Sequence, residues 1–209
     1  LPMWAQGLLG TTALIGGMTL VPNSIADTVG TQVVNQMKAK FSDYWLILLA
    51  IICMLISSLG MVVIPQNSNF WIITFLATFS GFGVGFIFVL LQIKVQVDAS
   101  EENMAEATSL SYLIRILAQT VMAAVYGVIM NMALARGVSQ NHGITINMLN
   151  KLSDAKAAKT LPVELLPMMR KIFYSGLKEI MICATILLVI SIGLNVYYNG
   201  KKKQVKTNH

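Results

Sequence analysis

Residues 44–93 read YWLILLAIICMLISSLGMVVIPQNSNFWIITFLATFSGFGVGFIFVLLQI, and none of these 50 positions is Asp, Glu, Lys, Arg or His. The run is too long for one membrane crossing, because a helix needs about 20 apolar residues to span the hydrocarbon core. A polar turn, PQNSN at residues 65–69, interrupts it once. The pattern predicts two transmembrane helices joined by this turn, in a protein that folds in a lipid bilayer.

The composition of the whole chain agrees with a membrane protein. Hydrophobic residues make up 56% and charged residues only 11%, whereas soluble domains have about 25% charged residues. We therefore predict an all-α, polytopic membrane helical bundle of about five transmembrane helices. The predicted spans are residues 8–37, 44–64, 70–97, 105–135 and 180–199, with an external loop at 136–179 and a tail at 200–209.

The charge distribution predicts the orientation. The tail carries Lys201, Lys202, Lys203 and Lys206 directly after the last apolar run. Positive charge flanking a membrane helix favours the cytoplasmic side, so we expect a multi-pass protein of the cell membrane with a cytoplasmic C-terminus. A basic tail is also compatible with nucleic acid, but beside a membrane helix we favour a topology anchor and expect no nucleic-acid partner.

The external loop contains one helical pattern. Pro162 suits the first turn of a helix, and five apolar residues follow at helical spacing: Leu165, Leu166, Met169, Ile172 and Phe173. Two interpretations are equally compatible with this pattern. The segment is either an amphipathic helix in the membrane interface or a helix packed on the outer surface of the protein.

Arg115 is one of two charges deep inside a predicted span. It lies about ten residues, or about 15 Å, from the start of its helix, which predicts a position near the membrane midplane. Tyr112 lies three residues before Arg115 and Gln119 four residues after it, so all three share one polar face of this helix. Intramembrane charges usually face a cavity or other protein. Arg115, Tyr112 and Gln119 are therefore candidate cavity residues, and a structural tie to backbone carbonyls is the alternative for Arg115.

Asp27 is the second deep charge, and Asn23, Ser24 and Thr31 share its helical face. Desolvation favours the neutral form of a carboxylate, so Asp27 is a candidate proton-coupling group and Asn23 a candidate cavity residue. In the alternative interpretation Asp27 lies near the cytoplasmic end, hydrated, and only caps or pairs locally. Pairing between Asp27 and Arg115 is left open by the sequence.

The third predicted span carries glycines and a glutamine. Gly81, Gly83 and Gly85 have no strand before them and apolar residues on both sides, so they favour close helix contact over nucleotide binding. Gln92 lies further along the same span. It is either a cavity residue or a packing residue that forms hydrogen bonds between helices.

The sequence offers nothing typical of an enzyme. Cys53 and Cys183 lie in apolar runs without a nearby Cys or His at ligand spacing, and His142 and His209 belong to no cluster. No Ser/His or Cys/His pair and no HExxH motif occurs in the spans. We expect no catalytic residues, no metal and no cofactor.

The order of features in spans three and four resembles a known family. The run from Gly81 through Gln92 and Gln96 is followed by the acidic loop VDASEEN at residues 97–103, then by Ala107-Thr108-Ser109 and Arg115. This order is similar to the C-terminal half of the major facilitator superfamily, specifically the fourteen-span drug:proton antiporters. The first six residues, LPMWAQ, resemble the end of the ninth helix of that family. Asp27 has no clear counterpart in the family pattern.

The resemblance implies a function and partners. The chain, which begins in hydrophobic sequence, is expected to be the C-terminal part of a larger proton-coupled exporter of hydrophobic or cationic small molecules that works by alternating access. A proton, the substrate, the lipid bilayer and an N-terminal transporter half are the implied partners. The alternative is a membrane-embedded scaffold or assembly subunit without transport activity, with the external loop as its docking surface.

Overall fold

The computed structural model describes residues 2–141, 143–152, 154 and 157–207, with side chains as far as Asn199. Every regular element in this part of the chain is helical, which confirms the predicted all-α bundle. The helices are α1 (Pro2–Gly7), α2 (Ala13–Met18), α3 (Leu20–Met37), α4 (Asp43–Val63), α5 (Phe70–Asp98), α6 (Met104–Gln140), α7 (Ile146–Lys151) and α8 (Leu166–Thr207). Two short 3₁₀ turns, Glu101–Asn103 and Ala157–Thr160, complete the list.

Four of these helices are long and apolar enough to cross a membrane: α4, α5, α6 with its preceding turn, and α8 as far as Asn199. The bounds of α4 and α5 agree with the predicted second and third spans to within one residue. The side chain of Asn69 caps α5 by accepting a hydrogen bond from the backbone N–H of Trp71 at 3.2 Å. The polar turn therefore ends one helix and begins the next, as the sequence indicated.

The region predicted as the first span, residues 8–37, contains Pro22 and several glycines that interrupt its apolar pattern, and it is not one helix. It is divided into α2 and α3, and α3 is not among the four helices of membrane-crossing length and composition. Thr12 caps the start of α2, where its side chain accepts a hydrogen bond from the N–H of Ile15. The hydroxyl of the buried Thr19 then donates to the carbonyl of Gly16 at 2.6 Å, at the junction between the two helices.

The segment predicted as an external loop, residues 136–179, is largely helical, because the helices on both sides extend into it. α6 continues to Gln140, and α8 begins at Leu166 and runs without a break through the predicted last span. Pro162 lies in a turn before α8, and Pro167 occupies its first helical turn. The amphipathic segment and the last span are thus one helix, since no residue between them interrupts helical hydrogen bonding.

The apolar stripe of this segment packs on the protein itself. Met169, Ile172 and Phe173 are buried and join a large apolar cluster with Trp4 and Leu149. This agrees with the second interpretation of the stripe, a helix packed on the outer surface of the protein. The cluster joins α1, α7 and the ends of α4, α5, α6 and α8 that meet beside the external loop.

Glycines place α3 directly against α5. A Cβ atom on Gly81 would overlap the backbone carbonyl of Asn23, and one on Gly85 would overlap the carbonyl of Asp27. From the other helix, a Cβ on Gly30 would lie 2.5 Å from the carbonyl oxygen of Phe82. The glycine pattern therefore serves close helix approach.

We expect Gly81→Ala to lower the free energy of unfolding by about 1–3 kcal/mol, because the added methyl group must push two backbones apart. Gly127→Ala is the matched control, since a Cβ there meets nothing within 4 Å. The unfolding midpoints of both variants in detergent give the comparison. Equal midpoints would contradict the proposed close contact.

Candidate functional site

Arg115 projects from α6 onto α5. Its Nη2 donates a hydrogen bond to Oε1 of Gln92 at 3.2 Å, and its guanidinium carbon lies 3.6 Å from the ring centroid of Phe88. Nη1 is buried and has no hydrogen-bond partner in the described part of the chain. The side chain is therefore held by one amide and one aromatic face, with one polar group left unpaired.

The helix around Arg115 has two different faces. Thr108, Ser111 and Tyr126 lie with Arg115 on the half-buried face, while many aliphatic side chains point away: Leu110, Leu113, Ile114, Leu117 and Val121 are exposed. The hydroxyl of Thr108 is also buried without a described partner. Arg115 thus lies on a half-buried polar face that turns toward the bundle, although Tyr112 and Gln119, predicted for the same face, are exposed.

The guanidinium of Arg115 lies nearer the start of α6 than the backbone of Arg115 does. A helical side chain points toward the N-terminus of its helix, which moves the charge of Arg115 toward the start of α6. It meets Gln92, six residues or about 9 Å before Asp98 at the end of α5. Counting residues along α6 alone did not account for this displacement.

Asp27 lies in the contact between α3 and α5. Its side chain is half-buried, and its backbone carbonyl and Oδ1 both approach Gly85. One turn earlier, Nδ2 of Asn23 donates a 2.8 Å hydrogen bond to the carbonyl of Ala77 on α5. Asn23 therefore ties the two helices together, whereas Asp27 is placed beside a glycine that leaves room for its carboxylate.

Asp27 and Arg115 are not paired. The salt bridge found among the described residues joins Arg136 on α6 to Glu179 on α8. Asp27 approaches α5 at Gly85 and Arg115 approaches it at Gln92, seven residues or about 10 Å further along the helix axis. The structure thus brings both charges to the same helix but keeps them apart.

Two further predicted residues lie at the edge of the Arg115 site. The ring centroid of Tyr112 is 6.0 Å from the guanidinium carbon of Arg115, and Tyr112 is 53% exposed. Gln119 is also exposed, on the next turns of α6. Neither side chain has a contact with α5 like those of Arg115 with Gln92 and Phe88, and both are exposed on the surface of α6.

Sequence reasoning missed Phe88 and part of a polar stripe on α3. Phe88 precedes Gln92 by four residues, so helical spacing alone places both side chains on the same face of α5 and could have indicated Phe88 as a neighbour of the Arg115 site. The stripe continues the polar face of Asp27 with exposed side chains at helical spacing: Ser24, Thr28, Gln32, Asn35 and Gln36. The sequence analysis followed the polar face of Asp27 only as far as Thr31 and did not extend it to Gln32, Asn35 and Gln36.

The structure offers no metal site among the residues that it describes. No three His, Cys, Asp or Glu side chains there lie close enough together to hold a metal ion, and Cys53 and Cys183 are free thiols. His142 and His209, which the sequence placed in no cluster, lie outside the described residues. The available chemistry is that of Arg115, Asp27 and neutral polar groups.

One comparison with known proteins gives a match. The chain is similar to Multidrug resistance protein 3 of Bacillus subtilis (strain 168), with 28% identity over 135 residues, which are 62% of this chain. The matched region is only 25% of that relative's length. No protein-family model and no solved structure matches the chain. Together with the four membrane-length helices, this likeness points to a membrane transporter.

We expect Gln92→Leu to lower the free energy of unfolding by about 1–3 kcal/mol, because the Nη2 group of Arg115 then loses its hydrogen-bond partner as well. Gln96→Leu is the control, since Gln96 is half-buried one turn further along α5 and makes no side-chain hydrogen bond within the described part of the chain. Unfolding midpoints in detergent provide the measurement. A Gln92 variant as stable as the Gln96 variant would contradict the importance of this bond.

Proposed function

We propose that the chain is the C-terminal part of a proton-coupled exporter of hydrophobic or cationic small molecules. The observation that carries the proposal is the guanidinium of Arg115, held between α5 and α6 with Nη1 buried and unpaired. A buried donor without a partner costs about 1–3 kcal/mol, and a charge at membrane depth adds to that cost. The protein tolerates this cost, in our proposal, because the guanidinium of Arg115 takes part in transport.

The polar stripe of α3 supports a transport pathway beside this site. α3 runs against the membrane-length helix α5, yet Ser24, Thr28 and Gln32 on its surface are exposed. Polar side chains at membrane depth favour a water-filled cavity or other protein over lipid. We propose that this face and the flank of α6 with Tyr112 and Gln119 line the pathway.

Asp27 is the proposed proton-coupling carboxylate. It forms no salt bridge with a described residue, so protonation changes its charge without first breaking an ion pair. Its position against the backbone of α5 links that change to the contact between α3 and α5. A change of charge at this contact is the proposed signal for the bundle to move.

Alternating access requires a second bundle that faces this one. The chain covers about a quarter of the length of the relative that it matches, and we propose that an N-terminal half completes the cavity. The C-terminal bundle then rocks against that half as a unit around the substrate. In this arrangement the protein lies in the cell membrane and the Lys-rich C-terminus is cytoplasmic.

We expect Arg115→Ala in the complete natural chain to abolish proton-driven export of a fluorescent dye, measured as efflux from cells or as uptake into inverted membrane vesicles. The loss follows because the guanidinium, its contact with Gln92 and its unpaired donor are all removed. Lys171→Ala is the control, since Lys171 is an exposed cation near the external loop. Unchanged efflux in the Arg115 variant, at equal protein levels, would contradict the proposed function.

We expect Asp27→Asn to abolish uphill, proton-driven efflux while dye binding is retained, because the amide keeps the shape of the side chain but does not titrate. Glu164→Gln, at an exposed site before α8, is the matched control. Efflux along a proton gradient and equilibrium dye binding are measured on the same preparations. Full uphill efflux by the Asp27 variant would eliminate Asp27 as the coupling group.

A further inference from the structure

A groove separates the last turns of α5 from the first turns of α6. Its volume is about 490 Å³, and aliphatic side chains form most of its wall. Lys94, Asp98 and Ser111 are its polar members. Leu91, at the end nearer the middle of α5, is 41% exposed into this region. The groove thus combines a mostly aliphatic wall with two opposite charges that lie one helical turn apart along α5.

The position of the charges along α5 places that end at the membrane surface. Lys94 is the first charged residue after the charge-free run of residues 44–93. α5 has 29 residues, or about 43 Å, and is therefore longer than a hydrocarbon core of about 30 Å. Leu91, at the deep end of the groove, then lies at acyl-chain depth, Lys94 lies one turn nearer the membrane surface, and Asp98 lies in the headgroup layer.

The two charges follow a fixed order. Lys94 and Asp98 are four residues apart on one face of α5, with about 6 Å between them along the helix axis. The ammonium group lies nearer the hydrocarbon core and the carboxylate nearer the water. Phosphatidylethanolamine has the complementary order, because its phosphate follows the acyl chains and its primary ammonium lies beyond the phosphate.

The surrounding charges disfavour a lipid that is simply anionic. Glu101, Glu102 and Glu106 are exposed and lie in the sequence between the groove residues Ala99 and Ala107. Together with Asp98 they repel a headgroup of net negative charge and attract a terminal ammonium. Lys94 lies 5.0 Å above the ring centroid of Tyr198 on α8. It forms no salt bridge with a described carboxylate, so its charge is available for a phosphate.

From these observations we propose that the groove between α5 and α6 binds one phosphatidylethanolamine molecule of the adjacent leaflet. Its acyl chain lies along the aliphatic wall, its phosphate contacts Lys94, and its ammonium contacts Asp98. The proposal is independent of the transport function, because it rests only on this groove and on the membrane position of α5.

Native mass spectrometry of the complete natural chain, released from nanodiscs of defined lipid mixture, tests the site. The mixture contains phosphatidylethanolamine, phosphatidylcholine and phosphatidylglycerol at equal fractions. We expect one retained phosphatidylethanolamine, with its affinity lowered about fivefold by Lys94→Gln and by Asp98→Asn. Lys171→Gln, near the external loop, is the control and should leave retention unchanged.

A double variant, K94D with D98K, separates an ordered headgroup site from general charge attraction. It preserves the net charge but reverses the order of the two groups, so we expect retention of phosphatidylethanolamine to be lost. Retention unchanged by the reversal, or phosphatidylglycerol retained as strongly as phosphatidylethanolamine, would overturn the proposal. If the double variant does not fold, the two single variants test the site, and their unfolding midpoints show whether they fold. An Asp98→Asn variant that folds and retains phosphatidylethanolamine as tightly as the natural chain would also overturn the proposal.

Discussion

Backbone contact between α3 and α5 is the constraint on which the rest of the bundle depends. Gly81 and Gly85 let the carbonyls of Asn23 and Asp27 approach α5 at distances that any side chain would prevent. Membrane helices gain little from burying apolar side chains against one another, so close backbone packing contributes much of their association. The same contact places the half-buried Asp27 against Gly85 of α5.

α5 also organises the helices on its other sides. Gly83 faces α4, where a Cβ would lie 2.7 Å from the carbonyl oxygen of Ala50, while Phe88 and Gln92 receive Arg115 from α6. α6 then leaves α5 and packs on α8 through close contacts at Gly137 and Gly176. It therefore bridges two parts of the bundle, and its middle section remains largely exposed. Arg115 lies where α6 and α5 still touch.

Much of the fold follows from local sequence features, whereas the site follows only in part. The charge-free run and the PQNSN turn predict α4 and α5, because length and hydropathy alone determine whether a helix crosses a bilayer. The division between α2 and α3 falls at Thr19, which is buried and donates a hydrogen bond to Gly16. It lies three residues before Pro22, which has no N–H for helical hydrogen bonding, so the sequence marks the region of the break but not the burial of Thr19. The unbroken course of α8 follows from the absence of an interrupting residue, whereas the packing of Met169 and Phe173 in the apolar cluster depends on distant helices.

The sequence by itself predicted that the protein folds in a lipid bilayer, that it is all-helical, and which few residues carry charge inside the bundle. Hydropathy and intrinsic residue chemistry are properties of short segments, so they can be read without the fold. The tertiary structure alone decided that Arg115 meets Gln92 and Phe88, that Asp27 lies against Gly85, and that the two charges do not pair. These relations depend on how three separate helices cross. How the helices cross is determined by glycine contacts and side-chain directions between residues far apart in the sequence, which a local pattern cannot show.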